Sequence, residues 1–264
     1  MDTTDLALVE AATTPNTRLV YLESPTNPTL QVSDIEAIAD YTDEAILAVD
    51  NTFASPALQR PLSLDADVVV ESRTKYISGH SDAIAGPIVT DGELLKETIE
   101  FIQYNQGATL GLFEAFLVQR CSKTIGGRIW THCENARIIA EYLESHQAIE
   151  SVYYSGLESH PDHEIATGKM TYSGGMVSVE LDATLEQTSD VLSAMEVFQL
   201  AGSLGGVETP VEQPAVMTHQ DLSPEERREA GISDSFIRLS VGIEDAEDLI
   251  DDLETAIADG LEKG

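Results

Sequence analysis

The sequence predicts an α/β protein, with a large unit built on a mostly parallel sheet and a smaller α+β unit after it. Three observations predict this. Residues 17–22, 45–49, 66–70 and 85–89 are short, largely apolar runs rather than alternating ones, as expected of strands covered on both faces. The ends of three of them carry polar chemistry: Glu23, Asp50 and Ser72 to Lys75 fall where ligands bind in parallel sheets, outside the strands' carboxyl ends. Past residue 130 the pattern changes to short strands mixed with helices.

The first strand, 17–22, ends at Glu23. Pro25 and Pro28 then force residues 24–28 (SPTNP) into a loop. Ser33 with Glu36 three residues on predicts a capping box, and Ile35, Ile38 and Ala39 follow at helical spacing. The second run is closed by Asp50, the third leads to Ser72, and the fourth stops before Asp91-Gly92. Residues 93–104 and 110–120 read as helices. A clearer helix spans 128–143, where Ile129, Cys133, Ala136, Ala140 and Leu143 recur at four-three spacing. In the second unit, 151–154 and 176–181 read as strands, the latter after the flexible Ser173-Gly174-Gly175, and 185–195 as a helix. Ser223-Pro224-Glu225-Glu226 is another capping box with proline at the first helical position, closed by Gly231. Residues 236–241 read as a strand. The last helix, 244–261, is acidic and turns Leu249, Ile250, Leu253, Ile257 and Leu261 inward. These readings divide the chain into 1–130 and 131–264.

At 264 residues the chain can bury a sizeable core. Its formal net charge is −33, from 47 acids against 14 bases, which argues against nucleic acid and anionic membranes as partners. The charge is spread along the chain, as suits a surface working in high salt, where self-repulsion is screened. A halophile's cytoplasm is the expected setting. No apolar run approaches bilayer length, and the acidic start Met1-Asp2-Thr3-Thr4-Asp5 has no apolar stretch of a signal peptide behind it. Cys121 and Cys133 form neither a CxxC nor a Cys/His cluster, so no metal site is expected, and Cys133 falls on the helical stripe as a core residue.

Lys75 is the first candidate for chemistry. It is one of only five lysines, with Lys96, Lys123, Lys169 and Lys263. An amine that forms a Schiff base must be partly deprotonated by desolvation or cationic neighbours, and a post-strand loop in a cleft offers the first. S-x-T-K alone describes many surface lysines; its company singles this one out. Ser72 and Thr74 offer hydroxyls to a phosphate, and Arg73 adds charge. Asp50 ends a buried strand, where an aspartate is costly unless paired; it either caps the turn through Asn51 and Thr52 or meets a partner such as a pyridinium N–H. An acid at one strand end, a lysine beyond the next and hydroxyls beside it make a pyridoxal phosphate (PLP) site. Asn27, in its proline-flanked loop, is either a turn residue or a donor to the cofactor's phenolic oxygen. Arg238, inside the apolar run FIRLSV, needs a buried anionic partner unless it faces outward. A guanidinium grips a carboxylate bidentately, so the α-carboxylate of an amino-acid substrate suits it. The loop AGSLGG (201–206) is either a plain turn or brings Ser203 to the same carboxylate, and it has neither GxGxxG nor GK[ST].

With these residues in view, the chain resembles the PLP-dependent enzymes of cysteine and methionine metabolism, the trans-sulfuration family of cystathionine γ-synthase, cystathionine γ-lyase and methionine γ-lyase. ESPTNP (23–28), VDNTF (49–53), SRTKYISGHSD (72–82), HCENA (132–136), SLGGVE (203–208), PAVMTH (214–219) and RLSVGIED (238–245) resemble that family's motifs in the family's order. The resemblance implies the PLP-dependent transferase fold of type I, with a PLP-binding large domain in 1–130 and a C-terminal domain in 131–264. It implies Lys75 as the cofactor's lysine, Asp50 as the partner of its ring nitrogen, and Ser72 and Thr74 as phosphate ligands. It places Asn27 near the phenolic oxygen, and Ser203 and Arg238 near the substrate carboxylate. The implied activity is γ-replacement or γ-elimination on sulfur amino acids, of the cystathionine γ-synthase or γ-lyase type. Methionine γ-lyase and O-acylhomoserine sulfhydrylase activities are the alternatives. The implied assembly is a homotetramer of two active dimers. Two departures matter. Family members are longer at the N-terminus, where a phosphate loop, a stacking tyrosine and neighbour-facing Tyr and Arg lie. By that comparison this is an N-terminally truncated member with an incomplete large domain, either active, or an inactive homologue, or a subunit completed by another polypeptide. Gly202 stands where the cystathionine enzymes carry Glu before SLGG, which leaves the reaction subtype open.

Overall fold

In the computed structural model, which describes residues 1–42 and 45–262, a long helix links two sheets. Helix α1 (Leu6–Ala12), capped by the Asp5 carboxylate, precedes the first sheet. Strand β1 (Leu19–Glu23) leads through the SPTNP loop to α2 (Ile35–Ala39), then β2 (Ile46–Asp50), α3 (Ser55–Leu58) and β3 (Val68–Val70). These three strands run parallel in the order β1-β2-β3, in a register that sets Glu23 beside Asp50 and Asp50 beside Val70. Both X–Pro bonds of the SPTNP loop, Ser24–Pro25 and Asn27–Pro28, are cis.

The fourth predicted strand shrinks to β4 (Ile88–Val89), which pairs antiparallel to β3. Pro87, with no N–H to donate, cuts the strand short, although the Pro87 and Ala85 carbonyls still accept from Glu71 N (3.3 Å) and Arg73 N (2.8 Å). Nor is the sheet covered everywhere. Leu22, Leu47, Val49 and Val69 are buried, but Leu19 and Tyr21 on the edge strand β1 are more than half exposed. The Ser33/Glu36 capping box does not form either. Asp34 is the cap of α2, its carboxylate accepting from Ala37 N. Ser33 N instead donates to Ser24 Oγ, and Glu36 pairs with Lys169. A neighbouring acid with a shorter reach to the helix N-terminus displaced the serine, a competition that the sequence leaves undecided.

Helices α4 (Glu93–Gln106) and α5 (Leu112–Ser122) precede the linking helix α6 (Ile125–Glu144). As its stripe predicts, α6 buries Ile129, Cys133, Ala136, Ala140 and Leu143. Beyond it come β5 (Ile149–Tyr153), α7 (His163–Lys169), β6 (Met176–Leu181), α8 (Leu185–Ala194), β7 (Gln199–Leu200), β8 (Pro210–Glu212), α9 (Pro224–Glu229), β9 (Phe236–Ser240) and α10 (Ala246–Glu262). The predicted capping box at Ser223 and Glu226 is formed in full at the start of α9. The second sheet has the order β5-β6-β9-β8-β7, antiparallel except for the pair β7/β8.

Alternation along this sheet decides what faces the first unit. Val177, Val179, Val211, Ile237 and Leu239 pack with residues of α6, α8 and α10 in one core. Their neighbours Ser178, Glu212 and Arg238 therefore sit on the other face, toward the SPTNP loop. A second core between the units joins Leu30, Phe53, Tyr76, Ile129, Met176 and Leu204, drawn from both halves of the chain. No helix among the described residues is long and apolar enough to cross a membrane.

Candidate active site

Strand β3 runs into a single π-type turn, Arg73–Ile77, in which Lys75 departs from helical dihedrals (φ −79°, ψ −134°). Two features hold this irregular backbone. The Arg128 guanidinium, itself buried, donates to the carbonyls of Tyr76 (2.7 Å) and Ile77 (3.0 Å) and to that of Cys121 (3.2 Å). Gly205, at φ +73°, lies against the same turn so closely that a Cβ there would come within 2.7 Å of Tyr76 N and 3.2 Å of Lys75 Cβ. The half-buried amine Nζ donates to Ser203 Oγ at 3.3 Å. Burial chiefly, and then the Arg238 charge, hold the amine below the ordinary lysine value; the Glu212 carboxylate pulls the other way.

Asp50 ends β2 with both carboxylate oxygens engaged. Oδ1 accepts from Thr52 N (3.0 Å), the turn-capping role open to it in the sequence, and Oδ2 accepts from Tyr21 Oη (3.2 Å). Behind it, Asn51 Nδ2 donates to Glu71 Oε1 and to the Gln59 carbonyl, and Gln59 Nε2 donates to the Ser24 carbonyl. This buried amide network ties the ends of β1, β2 and β3 together. Thr52 Oγ1 accepts from Ser72 N (2.9 Å), so the segment after Asp50 also positions the segment before Lys75. The Thr74 hydroxyl accepts from Ala85 N (3.0 Å), which fixes the loop on that side.

Arg238 lies on β9 with its side chain 2% exposed. The sequence asks for an anionic partner, and the protein supplies one: Glu212 on β8, directly opposite in register, forms an ion pair with it, Oε1 standing 3.0 Å from Nη1. Asn27 Oδ1 accepts from Nη1 at 2.7 Å, and the carbonyls of Ser203 (3.2 Å) and Gly202 (3.4 Å) accept from Nη2. Nε is buried without a hydrogen-bond partner. Burial pushes Glu212 above and Arg238 below their ordinary values, and each is the other's main counterweight.

The structure thus joins Lys75, Ser203, Arg238 and Asn27 in one bonded series, with Asp50 at the neighbouring strand end and Ser72 and Thr74 in the segment leading to the lysine. Ser203 and Asn27 are on the exposed side of this group. Glu212, Arg128, Tyr21 and Gly205 were not singled out from the sequence. Only the acid in the short segment Pro210–Glu212 carried a signal, and without the register of β8 against β9 it had no partner.

The family model for Cys/Met metabolism PLP-dependent enzymes matches residues 1–258. A cystathionine beta-lyase of Coxiella burnetii is 48% identical over 260 residues, covering 97% of this chain and 67% of that protein. A cystathionine gamma-synthase of Mycobacterium bovis is 50% identical over 255 residues, covering 96% and 65%. The crystal structure of cystathionine gamma-lyase from Lactobacillus plantarum, complexed with L-serine, superposes with a TM-score of 0.95 at 43% identity, covering 99% of this chain and 69% of that one. The chain spans about two thirds of the length of the curated relatives it matches.

Proposed function

The chain belongs to the family of PLP-dependent enzymes of cysteine and methionine metabolism, and from that premise we propose that it acts on sulfur amino acids, making or cleaving cystathionine by γ-replacement or γ-elimination. The observation that carries this reading is the half-buried Lys75 amine, bonded to Ser203 within a loop whose carbonyls are held by Arg238. The residues fit PLP. A strand-end carboxylate suits a ring N–H, and a desolvated amine suits an aldehyde. Gly205 leaves room for the irregular turn that presents the amine.

Bound PLP supplies an aldehyde for covalent attachment of an amine and a protonated ring that stores an electron pair. The chain's residues do the rest. Lys75, its amine kept partly deprotonated by burial, is the attachment point and then the base that takes the Cα proton and returns it further along the substrate. Asp50, oriented by Tyr21 and Thr52 N, keeps the ring nitrogen protonated. Ser72 and Thr74 hold the phosphate. Asn27, whose Oδ1 is taken by Arg238, has its Nδ2 to give to the phenolic oxygen. Arg238 and Ser203 bind the substrate carboxylate. The solved Lactobacillus plantarum relative in complex with L-serine, an amino acid, supports a ligand of this class.

We place the PLP-binding domain in 1–130 and the C-terminal domain in 131–264, with α6 running through the boundary. We further propose a homo-oligomer, supported by large apolar side chains exposed on α4 and α5, among them Leu94, Phe101, Leu112, Phe113 and Phe116, and a cytoplasmic setting. The test is an assay of the PLP-loaded chain in high salt with cystathionine, with an O-acylhomoserine plus cysteine, and with methionine. Cleavage on the γ side of cystathionine releases cysteine, whereas cleavage on the β side, as the Coxiella burnetii relative's name describes, releases homocysteine. Cystathionine formed, or cysteine released, by the wild type and not by Lys75→Ala is the expected result. Equal turnover by the Lys75→Ala variant would overturn the reading.

A further inference from the structure

Strands β6 and β9 set Ser178 and Arg238 opposite each other in register, on the face turned toward the SPTNP loop. Both reach into that loop, and they do so at successive residues. Arg238 Nη1 donates to Asn27 Oδ1 at 2.7 Å, and Ser178 Oγ donates to the Pro28 carbonyl at 2.7 Å. Ser178 is wholly buried, and its neighbours Val177 and Val179 turn to the opposite core. From the first unit the loop is held by Glu23, whose Oε2 accepts from Asn27 N at 3.1 Å. A guanidinium can only donate, so the Asn27 atom that faces Arg238 is the oxygen, and Nδ2 is the other arm of the amide. Asn27 itself is exposed. One bond to Oδ1 fixes the direction of the amide only if the backbone beneath it stays in place. Pro28 is buried, and without Ser178 its carbonyl would lose its partner and the loop would have to shift to find another.

We propose that Ser178 is a positioning residue for Asn27: by holding the Pro28 carbonyl it keeps the loop where Arg238 takes Asn27 Oδ1, so that Nδ2 is presented to the cofactor's phenolic oxygen. This rests on the reading of Asn27 as that oxygen's donor. Ser178 touches neither cofactor nor substrate and acts through the loop.

The test has two readouts. A donor on the phenolic oxygen favours its anionic form, so losing that donor raises the pH midpoint of the bound cofactor's visible absorbance change. Wild type, Ser178→Ala and Asn27→Ala are loaded with PLP and titrated with pH. Val179→Ala, on the same strand but facing the opposite core, controls for general loosening of β6. Ser178→Ala is expected to raise the midpoint toward that of Asn27→Ala, by about half a pH unit or more, the size of one hydrogen bond's net contribution. Val179→Ala is expected to leave it in place. Ser178→Cys, close in volume and with only a weak S–H to donate, is expected to follow Ser178→Ala. In the chain without cofactor, the NMR order parameter of the Asn27 Nδ2 group, assigned by its disappearance in Asn27→Ala, is expected above about 0.6 in the wild type and Val179→Ala, and below it in Ser178→Ala. A wild type whose Asn27 amide is already loose would overturn the proposal. So would folded Ser178 variants with the wild-type midpoint and order beside an Asn27→Ala that shifts, or a Val179→Ala that shifts as far as Ser178→Ala. A wild type that takes up no PLP, or an Asn27→Ala with an unmoved midpoint, would overturn the Asn27 reading and this proposal with it.

Discussion

His132 shows what burial does to a single residue of this chain. It is fully buried, Nδ1 donates to the Val241 carbonyl at 2.7 Å, and the ring stacks edge-on against Tyr76 at 5.2 Å. Burial pulls its pKa from 6.5 down to about 4. The folded protein therefore resists protonation while the unfolded chain accepts it. The stabilisation is complete above the unfolded value and drains away as pH falls from 6.5 to about 4. The loss amounts to roughly 3 kcal/mol. Glu23, Glu71 and Glu212, raised by burial, contribute the opposite slope from their ordinary 4.5 upward, where it offsets part of the histidine's effect. His132→Asn, whose amide nitrogen reaches the Val241 carbonyl from the Nδ1 position, is expected to flatten the wild type's decline in thermal midpoint across that window. Parallel declines would contradict this. At this scale the sequence was most legible where a residue type violates its surroundings. A lysine among few lysines and an arginine in an apolar strand both stood out. Glu212 and Arg128 did not, because an acid in a short strand or an arginine on a helix has meaning only once its partner across 26 or 52 residues is known.

Among elements, the turn that carries Lys75 matters most, since its shape is imposed from outside. Gly205 can come close only because it lacks a Cβ and adopts a left-handed φ. Gly205→Ala is expected to cost on the order of 2–4 kcal/mol, from backbone strain plus displacement of the turn. It is also expected to slow covalent capture of PLP more than a substitution of equal cost elsewhere would. Denaturant titration beside the rate of appearance of the cofactor's absorbance checks both parts, and a fall in stability with an unchanged capture rate would separate Gly205 from the lysine. The sequence pattern recovered α4, α5, α6, α8, α10 and the strands β1, β2, β3, β5, β6 and β9 within a few residues; α6, α8 and α10 each bury one face, whereas α4 buries none of its residues. It missed α7, α3 and the two-residue β7, which are too short to show a period, and β8, where a proline and an acid break the apolar pattern. The π-type turn at Arg73–Ile77 carries no sequence signal of its own; it exists because Arg128 and Gly205 hold it.

For the whole molecule, the largest physical fact is 47 acids against 14 bases. Described ion pairs such as Arg137 with Glu134 and Glu141, or Lys169 with Asp34 and Glu36, neutralise only a small part of this charge. Self-repulsion therefore destabilises the compact state until salt shortens its range, from a Debye length of about 10 Å near 0.1 M to about 3 Å near 1 M. The thermal midpoint is expected to rise over that interval, by roughly 2–4 °C for each kcal/mol recovered. A flat response in calorimetry would remove the argument for a high-salt setting. The fold class was legible in the sequence, since short apolar runs separated by helices and turns survive any error in boundaries. The single antiparallel β4 and the open edge at β1 were not, because apolar content does not say what covers a strand.

The proposed function turns on covalent capture of PLP by Lys75. The direct measurement is to incubate the purified chain with PLP in high salt, reduce with borohydride, digest, and locate the pyridoxyl group by mass, with Lys75→Ala treated alongside. A stoichiometric label on the peptide containing Lys75, and none on the other lysines in either protein, is the expected result. A folded wild type that takes up no label, or takes it up elsewhere and equally in Lys75→Ala, would contradict it.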